Sequence, residues 1–188
     1  MSMRVVEMPE VGITIFSKWI FNCYLIHDGG AGRAVIVDPG LSSTTAAAIE
    51  RVAQTRGPSP VVVATHGHVD HVGGLPDLHQ FGASICLPTR IREYLAGETP
   101  RGPGLREIAT IRSILLEQPV ELASVLEIAR TSRHTGIGGG TARFPMGADH
   151  WLVDGEEVPG APDWQVVHVP GHTDDSTALW NSKTMVLL

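Results

Sequence analysis

Cysteine is scarce in this chain of 188 residues: there are two, Cys23 and Cys86, each inside an apolar run. Thiols so placed read as small core residues, exclude a disulfide framework and fit a reducing compartment. Positive charge is also short: 14 Lys and Arg stand against 20 Asp and Glu, a formal net charge of −6. No basic run offsets that balance, which argues against nucleic acid and anionic membrane as partners. No apolar run approaches the roughly 20 residues that span a bilayer. The N-terminus, MSMRVVEMPEVGITIF, lacks a continuous apolar stretch ending in a small-residue cleavage site, so no signal peptide is expected. With 43% hydrophobic and 18% charged residues, the expectation is a globular, cytoplasmic protein rather than a disordered one.

Residues 12–21, 22–28 and 33–37 are rich in Ile, Val, Phe and Tyr and read as strands separated by turns. SSTTAAAIERVAQTRG reads as a helix capped by Ser42 or Ser43 and stopped by Gly57. VVVAT then reads as a strand buried on both faces. A short helix over 74–81 and a strand at ASICLP follow. From Thr89 to about His134 the pattern turns helical, with Leu105, Ile108, Ile111 and Leu115, then Leu122, Val125 and Leu126, at helical spacing and expected in the core. TGIGGGTARFPMGAD has no periodicity; HWLVDGEEV and DWQVVHV read as two strands around a turn. The 1–188 chain is thus expected to be one α/β domain with a helical and Gly-rich insertion at 89–149.

The stretch that carries chemistry is THGHVDHVGG, directly after the buried strand. Residues two apart in an extended segment face one side, so His66 and His68 would present both imidazoles to one point. Asp70 and His71 follow where the chain bends and would face a neighbouring point, an arrangement suited to two metal ions side by side. Imidazole and carboxylate are natural ligands of Zn²⁺, and of Fe²⁺ or Mn²⁺. Glycines at 67, 73 and 74 relieve crowding at the bend. A distant residue must complete the first site, and His172 in VVHVPGHTDDS also follows an apolar strand, in a Pro-Gly bend. His168, inside that strand, is read as a sheet-paired or core histidine.

THGHVDHVGG together with VPGHTDDS resembles the metallo-β-lactamase fold superfamily. NCYLI, AVIVDPG with Asp38 in its turn, and the VDGEEV…DWQVVHVPGHT hairpin resemble the same family over residues 12–88 and 150–188. The resemblance implies an αββα sandwich. It implies that His66, His68 and His172 hold a first metal and that Asp70 and His71 hold a second. The bridging aspartate and last histidine of that family have no counterpart before Leu188, so the catalytic domain is expected to be incomplete at its C-terminus, with MVLL ending on an unpaired edge strand. Asp174 and Asp175 lie too close to His172 to resemble the bridging position, and a glycine commonly stands where Asp175 is.

The activity implied is hydrolysis of an ester, thioester, lactone or lactam in a small-molecule substrate by metal-bound hydroxide, with Asp70 as the catalytic carboxylate that orients or shuttles the proton. Arg133, His134, Phe144 and Met146 are candidate substrate contacts in the insertion. Rivals on the same ligands are a nuclease, a one-iron sulfur dioxygenase using His66, His68 and His172, and a non-catalytic metal-binding domain. Self-association into a homo-oligomer is a further expectation.

Overall fold

A computed structural model describes residues 2–27, 32–101, 116–117, 120–131, 133–138 and 140–188. The first half builds a mixed sheet. Strands β1 (Arg4–Met8), β2 (Ile13–Lys18), β3 (Phe21–Ile26) and β4 (Val35–Val37) pair antiparallel in chain order. Helix α1 (Ser42–Thr55) crosses over to β5 (Val61–Val63), which pairs parallel with β4. Two short helices, α2 (Val69–Val72) and α3 (Leu75–Gln80), lead to β6 (Ser84–Pro88), parallel to β5. After α4 (Arg90–Leu95), α5 (Leu122–Thr131) and a small hairpin of β7 (Gly136–Gly138) and β8 (Thr141–Arg143), β9 (His150–Leu152) closes the first sheet beside β6. A second, antiparallel sheet follows, of β10 (Glu157–Val158), β11 (Ala161–His168), β12 (Thr177–Asn181) and β13 (Val186–Leu187).

Two cores explain the layering. On one face of the first sheet Leu25, Ile36, Val62 and Ile85 pack against Ala48 and Val52 of α1, Leu75 and Leu78 of α3, and Ile91 and Tyr94 of α4. On the other face Val35, Val37, Val61 and Val63 meet Trp164, Val166 and Leu179 of the second sheet. The Val61–Val63 run is buried on both faces because it is the middle of a sandwich, as a strand flanked by a crossover helix and another sheet must be. Both cysteines are free and buried in these cores; burial, reinforced by Asp38, pushes the Cys23 thiol well above its ordinary range, and burial pushes Cys86 up to about 12, which leaves both inert.

Several local expectations are corrected. Helix α1 has Leu41 as its N-cap residue and no side-chain cap; the Ser43 hydroxyl donates instead to Glu127 at 2.9 Å. The helix ends at Arg56 in the left-handed conformation, φ 51°, one residue before Gly57. Leu122, Val125 and Leu126 do lie on a helix, but all three are exposed. Polar contacts tie α5 down: the Glu127 carboxylate accepts from Ser43 N–H (3.2 Å) and Oγ and pairs with Lys18. Leu105, Ile108, Ile111 and Leu115 lie outside the described residues. The glycine-rich stretch forms the β7–β8 hairpin; HWL joins the first sheet, while Glu157–Val158 at the end of HWLVDGEEV pair antiparallel with β11 as expected. Strand β1 adds an edge strand ahead of the first expected one at residue 12. At the other end MVLL turns back, Met185 adopting φ 57°, so that β13 pairs with β12 as the edge strand of the second sheet.

Candidate metal centre

Strand β5 ends at Val63, and the chain turns out of the sheet through Ala64–His68 into α2. In the second sheet β11 ends at His168, and the Pro-Gly bend carries His172 back toward the same place. One ring nitrogen from each of His66, His68 and His172 lies within 4.8 Å of the other two. His172 Nε2 and His68 Nδ1 are 3.1 Å apart, and the ring centroids of the three are 4.9–5.1 Å from one another.

Protonation follows from the surroundings. The Thr65 hydroxyl donates to Asp38 Oδ2 at 2.7 Å, so toward His66 Nδ1, 3.3 Å away, it acts as acceptor. That assigns the His66 proton to Nδ1 and leaves a lone pair on Nε2, which is buried and has no hydrogen-bond partner among the described residues. A buried ring nitrogen without a donor, on an imidazole whose ring centre stands 4.9 and 5.1 Å from those of two others, suits a metal ligand, and the donor set fits a divalent cation such as Zn²⁺. Burial, helped by the neighbouring imidazoles, pushes the His66 pKa down to about 2. Burial and His172 lower His68 as well, against the opposing pull of Asp70 and Asp175. Imidazoles held neutral in this way do not have to shed protons to bind metal.

Asp70 and His71 adjoin this group. The His66 and His71 rings are 3.9 Å apart by centroid, and His71 Nε2 is 3.5 Å from Asp70 Oδ2. His71 Nδ1 lies 2.8 Å from Asp38 Oδ2, while Asp38 Oδ1 accepts from Thr65 N–H at 2.7 Å. Burial alone would lower the His71 pKa; the hydrogen bond and charge of Asp38, with Asp70, raise it instead. Asp38 itself is buried at φ 55°, a conformation Asp tolerates better than most residues. The turn has no slack, since a Cβ on Gly40 would sit 1.6 Å from the Asp70 carbonyl oxygen. The sequence pointed to Asp38 only as part of a resembling turn; its role as the anchor of His71 and Thr65 needed the β4–β5 pairing to be seen.

The remaining candidates separate. His168 is exposed, pairs with Thr177 in the sheet and places Nε2 3.0 Å from the Asp174 carbonyl oxygen, outside the three-histidine group. Asp174 lies near Arg101, and Asp175 is buried with Oδ2 accepting from Gly67 N–H at 2.7 Å. Phe144 is a core residue on the helix side and Met146 packs against that core, whereas Arg133 and His134 are exposed in the turn after α5. A cavity of about 280 Å³ opens beside Asp38, Asp70 and His71 and is walled by Ile20, Phe21, Asn22, Tyr24 and Leu188. None of these wall residues was singled out from the sequence, because nothing local marks the end of β2 and the start of β3 as facing the histidines.

The class defined so far is an α/β sandwich with a histidine cluster where strands of its two sheets end side by side. The chain belongs to the metallo-beta-lactamase superfamily, whose pattern it matches over residues 19–188. Among curated relatives, the uncharacterised protein YobT of Bacillus subtilis (strain 168) is 25% identical over 190 residues, covering 99% of this chain and 68% of YobT. A hydroxyacylglutathione hydrolase of Xanthomonas campestris pv. campestris (strain B100) is 37% identical over 83 residues, 39% of this chain and 31% of the hydrolase. The crystal structure of metallo-beta-lactamase IND-7 superposes with a TM-score of 0.60 at 14% identity, covering 98% of this chain and 69% of that one. The chain therefore spans less than a third of the length of that hydrolase. Among the described residues no helix is long and apolar enough to cross a membrane.

Proposed function

We propose that this chain carries the metal centre of a hydrolase that cleaves an ester-like carbonyl, with a thioester as the first substrate class to test. The observation that carries the reading is the buried His66 Nε2, without a hydrogen-bond partner among the described residues, on a ring gathered with those of His68 and His172. The superfamily membership and the resemblance of part of the chain to a hydroxyacylglutathione hydrolase support it, glutathione carrying an acyl group on its thiol as a thioester.

In this reading His66, His68 and His172 hold the first ion, zinc by preference of the donor set, and Asp70 and His71 contribute to a second. A divalent ion held there would supply hydroxide near neutral pH and polarise the substrate carbonyl oxygen. The chain's own groups do the rest. Asp38 fixes the His71 ring through Nδ1 and leaves Nε2 directed at Asp70. Asp70, about one third exposed at its carboxylate side chain, is placed to accept the proton that the attacking water gives up and to deliver it to the leaving group as the carbon–leaving-group bond breaks. The cavity beside it offers Phe21 and Ile20 as apolar walls and Asn22 and Tyr24 as polar handles for a small acyl group.

Purified protein should contain zinc or another divalent metal in stoichiometric amount, and chelation should abolish turnover of its best substrate from a panel of thioester, lactone, β-lactam and phosphodiester compounds. His68→Ala should lose both metal and at least a thousandfold in activity while keeping its circular dichroism. Turnover that survives chelation overturns the reading; cleavage of the phosphodiester alone, or oxygen uptake with a persulfide, replaces it with a nuclease or a dioxygenase.

A further inference from the structure

The peptide between the first two histidines is gripped from both ends. Gly67 N–H donates to the buried Oδ2 of Asp175 at 2.7 Å, and Gly67 C=O accepts from Ile137 N–H at 2.6 Å. The first contact comes from the bend that carries His172, the second from the β7–β8 hairpin, which also forms a parallel bridge between Ile137 and His68. The space is closed sideways as well: a Cβ on Gly67 would lie 2.4 Å from Ile137 Cδ1 and 3.3 Å from Asp175 Oδ2. Asp175 is therefore a carboxylate taken out of water whose charge-assisted bond ties one ligand-bearing segment to another. It is three residues from His172 and contacts the residue flanked by His66 and His68.

We propose that Asp175 is a positioning residue for the histidine cluster: by clamping the Gly67 amide it sets the distance between the loop that presents His66 and His68 and the bend that presents His172. This rests on the metal-centre reading above. The clamp is not needed to hold the sheets together, because Thr177 N–H and Oγ1 both donate to Thr65 C=O, at 2.8 and 2.9 Å, and β11 remains paired with β12. Removing the carboxylate should therefore loosen the site and leave the fold. It also explains why a carboxylate so near the cluster stands outside the three-histidine group: its inner oxygen is spent on the backbone.

The test is metal binding, measured by competition against a chromophoric chelator with Zn²⁺, and the visible absorption of the Co²⁺-loaded protein. Asp175→Ala should bind Zn²⁺ roughly 10–100-fold more weakly, the range typical of lost supporting hydrogen bonds around metal ligands. Its Co²⁺ bands should weaken or shift, while its far-ultraviolet circular dichroism matches the parent. Asp175→Asn keeps an oxygen that can accept from Gly67 N–H, and should recover the Co²⁺ spectrum and all but a few-fold of the affinity. In the unsubstituted, metal-free protein the Gly67 amide should exchange with solvent as slowly as the amides of β5, a measurement that needs no variant should Asp175→Ala fail to fold. Parental affinity and an unchanged Co²⁺ spectrum in Asp175→Ala overturn the clamp and leave the metal centre standing, as does rapid exchange at Gly67. If the unsubstituted protein binds neither Zn²⁺ nor Co²⁺, the metal-centre reading falls, and the inference with it.

Discussion

At the scale of single residues the site is built from small groups that leave no room. Gly67 sits where three segments meet, and the ends of the Ile137 side chain occupy the position a methyl group would need. Gly67→Ala should destabilise the protein by about 1–3 kcal/mol, the usual cost of forcing atoms into a packed site. Ile137→Ala removes the two atoms that would clash, so the double variant should recover at least about 1 kcal/mol of that loss in urea unfolding. Gly138, where a Cβ would meet nothing within 4 Å, is the control, and Gly138→Ala should be within about 0.5 kcal/mol of the parent. Additive losses in the double variant would mean that Ile137 is not what excludes a side chain at 67. The sequence shows Gly67, Gly73 and Gly74 as points where the bend must be relieved, and Cβ atoms at all three would meet neighbours below 3.0 Å. What no local pattern could show is which neighbours: Ile137 is seventy residues away and Asp175 more than a hundred.

At the scale of elements, period-two and helical spacing located most strands and helices but did not say what held them. Strand β5 was legible as doubly buried because three consecutive valines have no polar face to offer. The histidine cluster was legible for the same reason, since four ligand-type residues directly after such a strand have no packing role. Helix α5 is the opposite case. Its apolar spacing identified a helix correctly, yet Leu122, Val125 and Leu126 point outward and Ser124 is the buried residue. Its docking depends on Glu127, which bridges Lys18 of β2 and the first turn of α1. Glu127→Ala should cost about 1–2 kcal/mol, because it removes hydrogen bonds and a largely buried pair at once. Burial alone would raise the Glu127 pKa; its bonds to Lys18 and Ser43 outweigh that and lower it. A folded-state pKa below the unfolded value gives stability that is fully present above about 4.3 and is lost as the pH falls through the folded value. The gap in urea midpoint between parent and Glu127→Ala should accordingly narrow as the pH falls through the lowered folded-state value of Glu127 and close below it. A gap that persists at low pH would show that side-chain packing, not charge, secures the helix.

At the scale of the whole molecule the three histidines belong to two different sheets. His66 and His68 follow β5 of the mixed sheet, and His172 follows β11 of the antiparallel one. The sheets share an apolar core and the Thr65–Thr177 bonds, and an ion held by all three imidazoles would add a further link between the layers. Binding to the folded state alone stabilises it by about 2.7 kcal/mol at a free ion concentration one hundred times Kd. For a chain of this size that corresponds to a rise in Tm of roughly 5–10 °C, and chelator should return the protein to its metal-free value. His172→Ala separates the contributions. It leaves the pair that follows β5 intact but removes the ligand that follows β11, so the metal-induced shift should shrink to below about 2 °C while the Tm in chelator stays close to the parent's. A full shift in His172→Ala would place the ion on the β5 loop alone. The two sheets would then meet only through their core and backbone contacts, and His172 would lose its part in the centre.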